Sequence, residues 1–190
     1  MDDDLERKQV SQILQGDSKA FRNFVDSYQR LVAHIVFRMV PEADREDICQ
    51  DVFVKAYQNL KSFHFQSKLS TWLARITYNT CVNYLEKKRV PLFDNQSKEN
   101  QSLNHWPAEE TSPYHEAEKK DTFSHLRDEI EKLPVIYRTI ITLYHLDQMS
   151  YAEIGKITAL PEGTVKSYLF RARKMLRRSL LTHYQEEELC

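Results

Sequence analysis

Glycine occurs three times in this 190-residue chain, at Gly16, Gly155 and Gly163, and that scarcity constrains the fold more than any other feature. Tight β-hairpin turns need residues that accept positive φ, usually glycine, so the composition argues against a hairpin-rich β fold. A P-loop or a dinucleotide-binding turn needs clustered glycines whose backbone approaches phosphate, and neither motif is present. The six prolines (41, 91, 107, 113, 134 and 161) all fall where periodic apolar patterns start or stop. Proline breaks a helix interior but suits a first turn, so this punctuation predicts an all-α protein.

The periodicity agrees. Phe21, Phe24, Tyr28, Leu31, Val32, Ile35 and Met39 step by three and four, which predicts a long amphipathic helix ending before Pro41. Residues 5–15 add a short helix ahead of it. Asp44 is placed to cap a second helix with Ile48, Val52, Ala56 and Leu60 on one side. Ser62 to Ser70 lacks a helical period and reads as a loop. A third helix, with Leu73, Ile76 and Thr80 inward, runs from Ser70 towards Lys88 and stops near Pro91. Residues 91–118 hold three prolines and many polar and acidic residues, the composition of a mobile linker. Periodicity returns with Phe123, Leu126, Ile130 and Leu133, breaks at Pro134 and resumes with Ile136, Ile140 and Leu143. Ser150 and Glu153 form a capping box opening a short helix. Thr158-Ala159-Leu160 makes a turn, and Pro161 starts a longer helix through about Leu181. Two small helical domains joined by a flexible linker follow, the second a helix-turn-helix, with boundaries at 1–92, 93–119 and 120–184 and an acidic tail at 185–190.

With 41% hydrophobic and 29% charged residues the chain can bury a core and stay in water. No apolar run reaches the roughly 18–20 residues of a membrane helix, and the acidic start Met1-Asp2-Asp3-Asp4 does not suit a secretory signal. A cytoplasmic location is expected. Cys49, Cys81 and Cys190 are odd in number and form no CxxC, so they read as buried or incidental thiols in a reducing compartment. The formal net charge is −1, but the cations are gathered. Residues 64–92 carry Lys68, Arg75, Lys87, Lys88 and Arg89 against Glu86. Residues 163–178 carry Lys166, Arg171, Arg173, Lys174, Arg177 and Arg178 with no acid. Two basic segments in an otherwise acidic chain suit nucleic-acid binding.

A capped short helix, a tight turn and a longer basic helix make the helix-turn-helix pattern. Val165, Leu169, Ala172, Leu176 and Leu180 share its inward side. Thr164, Lys166, Ser167, Tyr168 and Arg171 are placed to reach base edges of duplex DNA, and Arg173, Lys174 and Arg177 suit phosphates. Gly155 is small where the two helices cross. In the other basic segment Phe63, His64, Phe65, Trp72, Tyr78 and Tyr84 interleave with the cations. Rings that stack on bases beside cations that meet phosphates are how single strands are gripped. Arg75, Asn79, Asn83 and Lys87, at i, i+4, i+8 and i+12, form one polar stripe next to Trp72. The alternative, core aromatics with a solvated stripe, stays open on composition alone. Glu42, Asp44, Glu46, Asp47 and Asp51 make the second helix unfit for DNA. They suit either a protein partner or a helix dipole. His105, His115, Glu116, Glu118 and His125 match no metal-ligand spacing. No catalytic constellation occurs, so neither an enzyme nor a cofactor is expected.

Three segments together resemble the bacterial extracytoplasmic-function (ECF, group 4) sigma factors of the sigma-70 family. Asp47-Ile-Cys-Gln-Asp-Val-Phe-Val-Lys-Ala-Tyr57 is similar to region 2.2. Phe63 with Ser70-Thr-Trp-Leu-Ala-Arg-Ile-Thr-Tyr-Asn79 and Asn83-Tyr-Leu-Glu-Lys-Lys-Arg89 is similar to regions 2.3 and 2.4. Leu133-Pro134, Tyr137-Arg138, Tyr151-Ala-Glu-Ile154 and Gly163-Thr-Val-Lys-Ser167 with Arg171-Ala-Arg173 are similar to region 4. The resemblance implies a transcription initiation factor that directs core RNA polymerase to −35 and −10 promoter elements and helps melt the −10 region. It implies that Asp47, Gln50, Asp51, Phe53 and Tyr57 dock on the clamp coiled coil, and that the second domain sits on the flap. Phe63, His64, Gln66, Ser67, Lys68, Trp72, Arg75, Asn79 and Asn83 would hold the single-stranded −10 element, with Lys87, Lys88 and Arg89 beside them. The basic helix would read the duplex −35 element. An anti-sigma factor is the further implied partner, able to hold the protein at the membrane, with no direct membrane insertion. The chain departs from the pattern in three places: the loop His64-Phe65-Gln66 lacks the glycine of many members, Tyr168 stands where arginine is frequent, and Gly155 stands where alanine is usual. The competing reading is a stand-alone helix-turn-helix regulator that binds duplex DNA as a dimer.

Overall fold

The structure, a computed structural model, describes residues 3–88 and 126–187, with side chains no further than Leu181. Its first part holds α1 (Asp3–Leu14), α2 (Ser18–Met39), a 3-10 turn (Glu42–Asp44), α3 (Arg45–Asn59), a second 3-10 turn (Leu60–Ser62) and α4 (Leu69–Lys87). Its second part holds a helical stretch at 126–131, then α5 (Val135–His145), α6 (Tyr151–Thr158) and α7 (Glu162–Glu187). No strand occurs among the described residues. The 93–119 linker, Arg89 and the His105–His125 group lie outside them.

Gly16, at φ +91°, is the left-handed stop that ends α1. Asp17 then caps α2, its carboxylate accepting from the amides of Lys19 at 2.8 Å and Ala20 at 3.1 Å. The apolar stripe of α2 is buried as its period requires, through Phe24, Tyr28, Val32, Ile35, Val36 and Met39. Asp44 departs from expectation. It makes no cap for α3, because the Glu42–Asp44 turn leads the chain in and its carboxylate instead accepts from the Tyr84 hydroxyl of α4. Leu73, Ala74, Thr77, Cys81 and Leu85 of α4 close the core against α2 and α3. Burial raises the Cys81 thiol to about 12. The Cys49 thiol is also raised, first by burial and then by Glu46. Both are therefore protonated at neutral pH.

Helix α5 is buried on nearly every side, from Val135 and Ile136 through Ile140, Ile141 and Leu143. A helix with so few exposed residues must be covered on most of its sides. Helices α6 and α7 cover part of it and α2 covers another part, while α6 packs on α4. The two halves therefore lie against each other, which the stripe periods did not anticipate. Polar pairs cross the seam. Arg38 of α2 donates to Glu131, which also accepts from Arg138 at 3.2 Å. The Nδ1 of His34 lies 2.8 Å from the Asp147 carboxylate. The ammonium of Lys68 sits 2.9 Å from Glu153.

The helix-turn-helix forms as expected. Ser150 accepts from the Glu153 amide, and Glu153 accepts from the Ser150 amide at 2.9 Å. Ala159, at φ +57°, makes the left-handed stop of α6. Gly155 is needed for a different reason from helix crossing: a Cβ there would sit 2.8 Å from the Leu160 carbonyl oxygen of the turn. Helix α7 also runs six residues past the expected end at Leu181.

Candidate nucleic-acid interfaces

Because one face of α4 is committed to the core, the opposite face is fixed in direction. Arg75, Asn79, Asn83 and Lys87 all lie exposed on it, over about 18 Å of helix at 1.5 Å per residue. Lys88 is exposed as well, with its ammonium 5.8 Å from the Tyr84 ring centroid. Trp72 heads the stripe, half-buried. The rings divide between core and surface. Phe63 is only 6% exposed and Tyr78 only 4%, so neither is an open stacking platform. Phe63 instead packs 5.2 Å from Trp72 and 4.6 Å from Phe65. The burial of Phe63 follows from its place at the end of the Leu60–Ser62 turn over the core. In the loop, His64 and Gln66 are exposed and Ser67 is half-buried. Lys68 is exposed but bridged to Glu153. Partial burial pushes the Glu153 carboxyl up, but hydrogen bonds from Ser150 and Lys68 outweigh it and hold that group down at about 2.

The second interface is α7. Val165, Leu169 and Ala172 are buried, which turns Lys166, Ser167, Arg171, Arg173, Lys174 and Arg177 outward, with Thr164 half-buried. Tyr168 departs from expectation: its ring is half-buried, edge-on to Tyr137 at 5.2 Å, where it braces the helix. Lys166 lies 5.4 Å over the Tyr151 ring and Arg173 lies 5.3 Å over Tyr144. Phe170 is 68% exposed among these cations. The sequence carried a signal for it, an aromatic out of register with the 165, 169 and 172 stripe, but not as a site residue.

The acidic helix α3 presents a third surface. Asp47 and Gln50 are exposed, and Asp51 pairs with Lys55 at 2.6 Å. Phe53 and Tyr57 each turn one ring edge to the core, towards Phe24 at 6.2 Å and Phe21 at 5.1 Å. Tyr57 and Val54 remain about half exposed. A groove of about 380 Å³ runs beside them, lined by Gly16, Asp17, Phe21, Phe53, Val54 and Tyr57. Glu46 and Asp47 also stand in the first turn, where acids complement the helix dipole. No helix among the described residues is long and apolar enough to cross a membrane.

Two family models match the chain: sigma-70 region 2 over residues 24–90 and sigma-70 region 4 over residues 125–176. The ECF RNA polymerase sigma factor SigW of Bacillus subtilis is 34% identical over 179 residues, covering 92% of this chain and 96% of the relative. The ECF RNA polymerase sigma-E factor of Escherichia coli K12 is 39% identical over 171 residues, covering 88% and 90%. Two solved structures share the fold. CnrH in complex with the cytosolic domain of CnrY has a TM-score of 0.64 at 22% identity, covering 93% of this chain and 97% of that one. The sigma factor RpoE of Bartonella quintana with the anti-sigma factor NepR has a TM-score of 0.63 at 24% identity, covering 85% and 97%.

Proposed function

The chain belongs to the ECF RNA polymerase sigma factors, and from that premise we propose how its surfaces divide the work. It is a transcription initiation factor that directs RNA polymerase to promoters. In the proposal, residues 1–92 dock on the polymerase and hold the opened −10 element, 93–119 link, 120–184 read the −35 element as duplex, and 185–190 form an acidic tail. Group 4 is the proposed subgroup. The observation that carries the division is the contrast between the exposed Arg75-Asn79-Asn83-Lys87 stripe beside Trp72 and the cation-covered outer face of α7.

Physics supports it. Unpaired bases offer faces for Trp72 and edges for Asn79 and Asn83. A major groove admits a helix, and Lys166, Ser167 and Arg171 face outward near the start of one. The −10 and −35 elements lie about 25 base pairs apart, roughly 85 Å at 3.4 Å per pair. A packed domain the size of the described residues has a radius of gyration of only about 15 Å. The two halves must therefore separate to engage both elements, and the 37 residues of 89–125 can span on the order of 120 Å when extended. Polymerase supplies the tether that makes the second contact intramolecular. The acidic residues elsewhere in the chain discourage the free protein from binding duplex, so its own binding is weak and salt-sensitive.

Asp47, Gln50, Asp51, Phe53 and Tyr57 are the proposed polymerase-docking set, on the clamp coiled coil, with the second domain on the flap. The proposed location is cytoplasmic, and the proposed regulator is an anti-sigma factor able to hold the chain at the membrane. The structural neighbour RpoE of Bartonella quintana, a sigma factor in complex with the anti-sigma factor NepR, supports that reading. The test is run-off transcription with sigma-free core polymerase and a pool of genomic promoter fragments. Transcripts that depend on the added chain are expected. Their absence, together with no co-migration of chain and core on gel filtration, would overturn the reading in favour of a stand-alone regulator.

A further inference from the structure

We infer that Arg7, on the N-terminal helix, is a further residue of the single-strand interface, its guanidinium offering the plane on which an unpaired base stacks. The inference rests on the proposed role of the 63–68 loop. Phe65 sits at φ +56°, in the left-handed region that suits glycine and that a bulky side chain avoids. Such a conformation persists only where the surroundings over-determine it. Here they do so from both sides. The Phe63 ring lies 4.6 Å from the Phe65 ring, and the Arg7 guanidinium carbon lies 4.3 Å from its centroid. Trp72 lies 5.2 Å beyond Phe63. Four flat groups thus run in sequence from α4 to α1: Trp72, Phe63, Phe65 and Arg7.

The far end of that series is fixed and open. Helix α1 is pinned by the buried side chains of Val10 and Ile13, and by the Tyr28 hydroxyl donating to Glu6 at 3.2 Å. Arg7 stands one turn before that anchor and is exposed. Asp4 and Glu6 stand close to it in sequence, yet no carboxylate among the described residues forms an ion pair with it. A guanidinium stacked by one face keeps its donors at the edge and its other face towards solvent. Bases stack on arginine planes as they do on aromatic rings, and the cation adds attraction for phosphate. Phe63 is buried, and Phe65 is half-buried beside the Arg7 guanidinium. Arg7 is therefore the exposed member of the series. A lysine at position 7 would carry the charge without the plane.

The experiment uses reconstituted holoenzyme and a labelled non-template-strand oligonucleotide spanning the −10 region of a promoter recovered by run-off transcription. Arg7→Ala is expected to weaken binding by roughly 5- to 100-fold, and Arg7→Lys to recover little of it. Gel filtration with core checks that both variants still fold and assemble. Abasic sites are then scanned through the oligonucleotide. One position is expected where the wild-type advantage over Arg7→Ala disappears, because there is no base left to stack. Equal binding by wild type and Arg7→Ala overturns the inference. So does full recovery by Arg7→Lys, which means charge alone, or a deficit that is the same at every abasic position, which means a brace for Phe65. Failure of the wild-type holoenzyme to bind the strand at all overturns the loop reading beneath it instead.

Discussion

Helices α4 and α7 are both basic, yet they are built in opposite ways. Helix α4 buries nine of its residues, from Leu69 to Leu85, and leaves one narrow stripe in which Arg75 and Lys87 bracket two asparagines. Helix α7 has Val165, Leu169 and Ala172 as the fully buried residues among its described side chains, and six exposed cations from Lys166 to Arg178 share its outer side with Ser167, Phe170 and Met175. The difference teaches what each can recognise. A stripe one residue wide, flanked by half-buried rings and a strained loop, fits a single strand whose bases are splayed out. A helix with one broad side of charge fits a groove walled by phosphates.

The largest expected effects test the buried sides. Leu73 is fully buried, so Leu73→Ala should cost about 2–5 kcal/mol of stability in thermal or denaturant melting. Leu176 is half-buried in α7, and Leu176→Ala should cost roughly 1 kcal/mol. Equal losses would break the contrast. Next come the DNA-facing residues, at about 1–3 kcal/mol each. Arg171→Ala should lower run-off transcription by roughly 5- to 150-fold and level the preference for an intact −35 element. Asn83→Ala should lower it comparably while leaving that preference in place.

A smaller effect probes the seam between the halves. Glu153 is held down at about 2 from its ordinary 4.5. A depressed carboxyl contributes stability that is complete above the unfolded value and is lost as pH falls through the folded one. Wild type should therefore melt above Glu153→Gln at pH 6, with the gap closing between about pH 4.5 and 2. A gap independent of pH would show that the carboxylate's charge is irrelevant there. The smallest effect is electrostatic. Arg177→Ala should weaken duplex binding similarly for all sequences and reduce the slope of log affinity against log salt by about 1.

Much of this was legible in the chain. The stripe of α2, the capping box of Ser150 and Glu153, and the polar row on α4 all follow from local spacing, which the fold obeys. Contacts between elements were not legible. Asp44 looked like a cap because nothing local reveals that Tyr84 is its partner. The contact of the Tyr168 ring with Tyr137 was hidden because Tyr137 lies on another helix. The packing of the halves was hidden for the same reason, although α5, with apolar residues beyond a single stripe, held a clue that a one-sided stripe misses. Arg7 lay outside any motif, and only the φ of Phe65 draws attention to it.

The division of labour between the two helices is tested most directly by exchanging probes. Holoenzymes carrying Asn79→Ala with Asn83→Ala, or Lys166→Ala with Arg171→Ala, would be titrated with a −10 non-template single strand and, separately, with a −35 duplex. The account predicts a crossover, each pair of substitutions weakening its own probe at least tenfold and the other by less than twofold. If both pairs weakened both probes alike, or the α7 pair weakened the single strand more, the account would be contradicted.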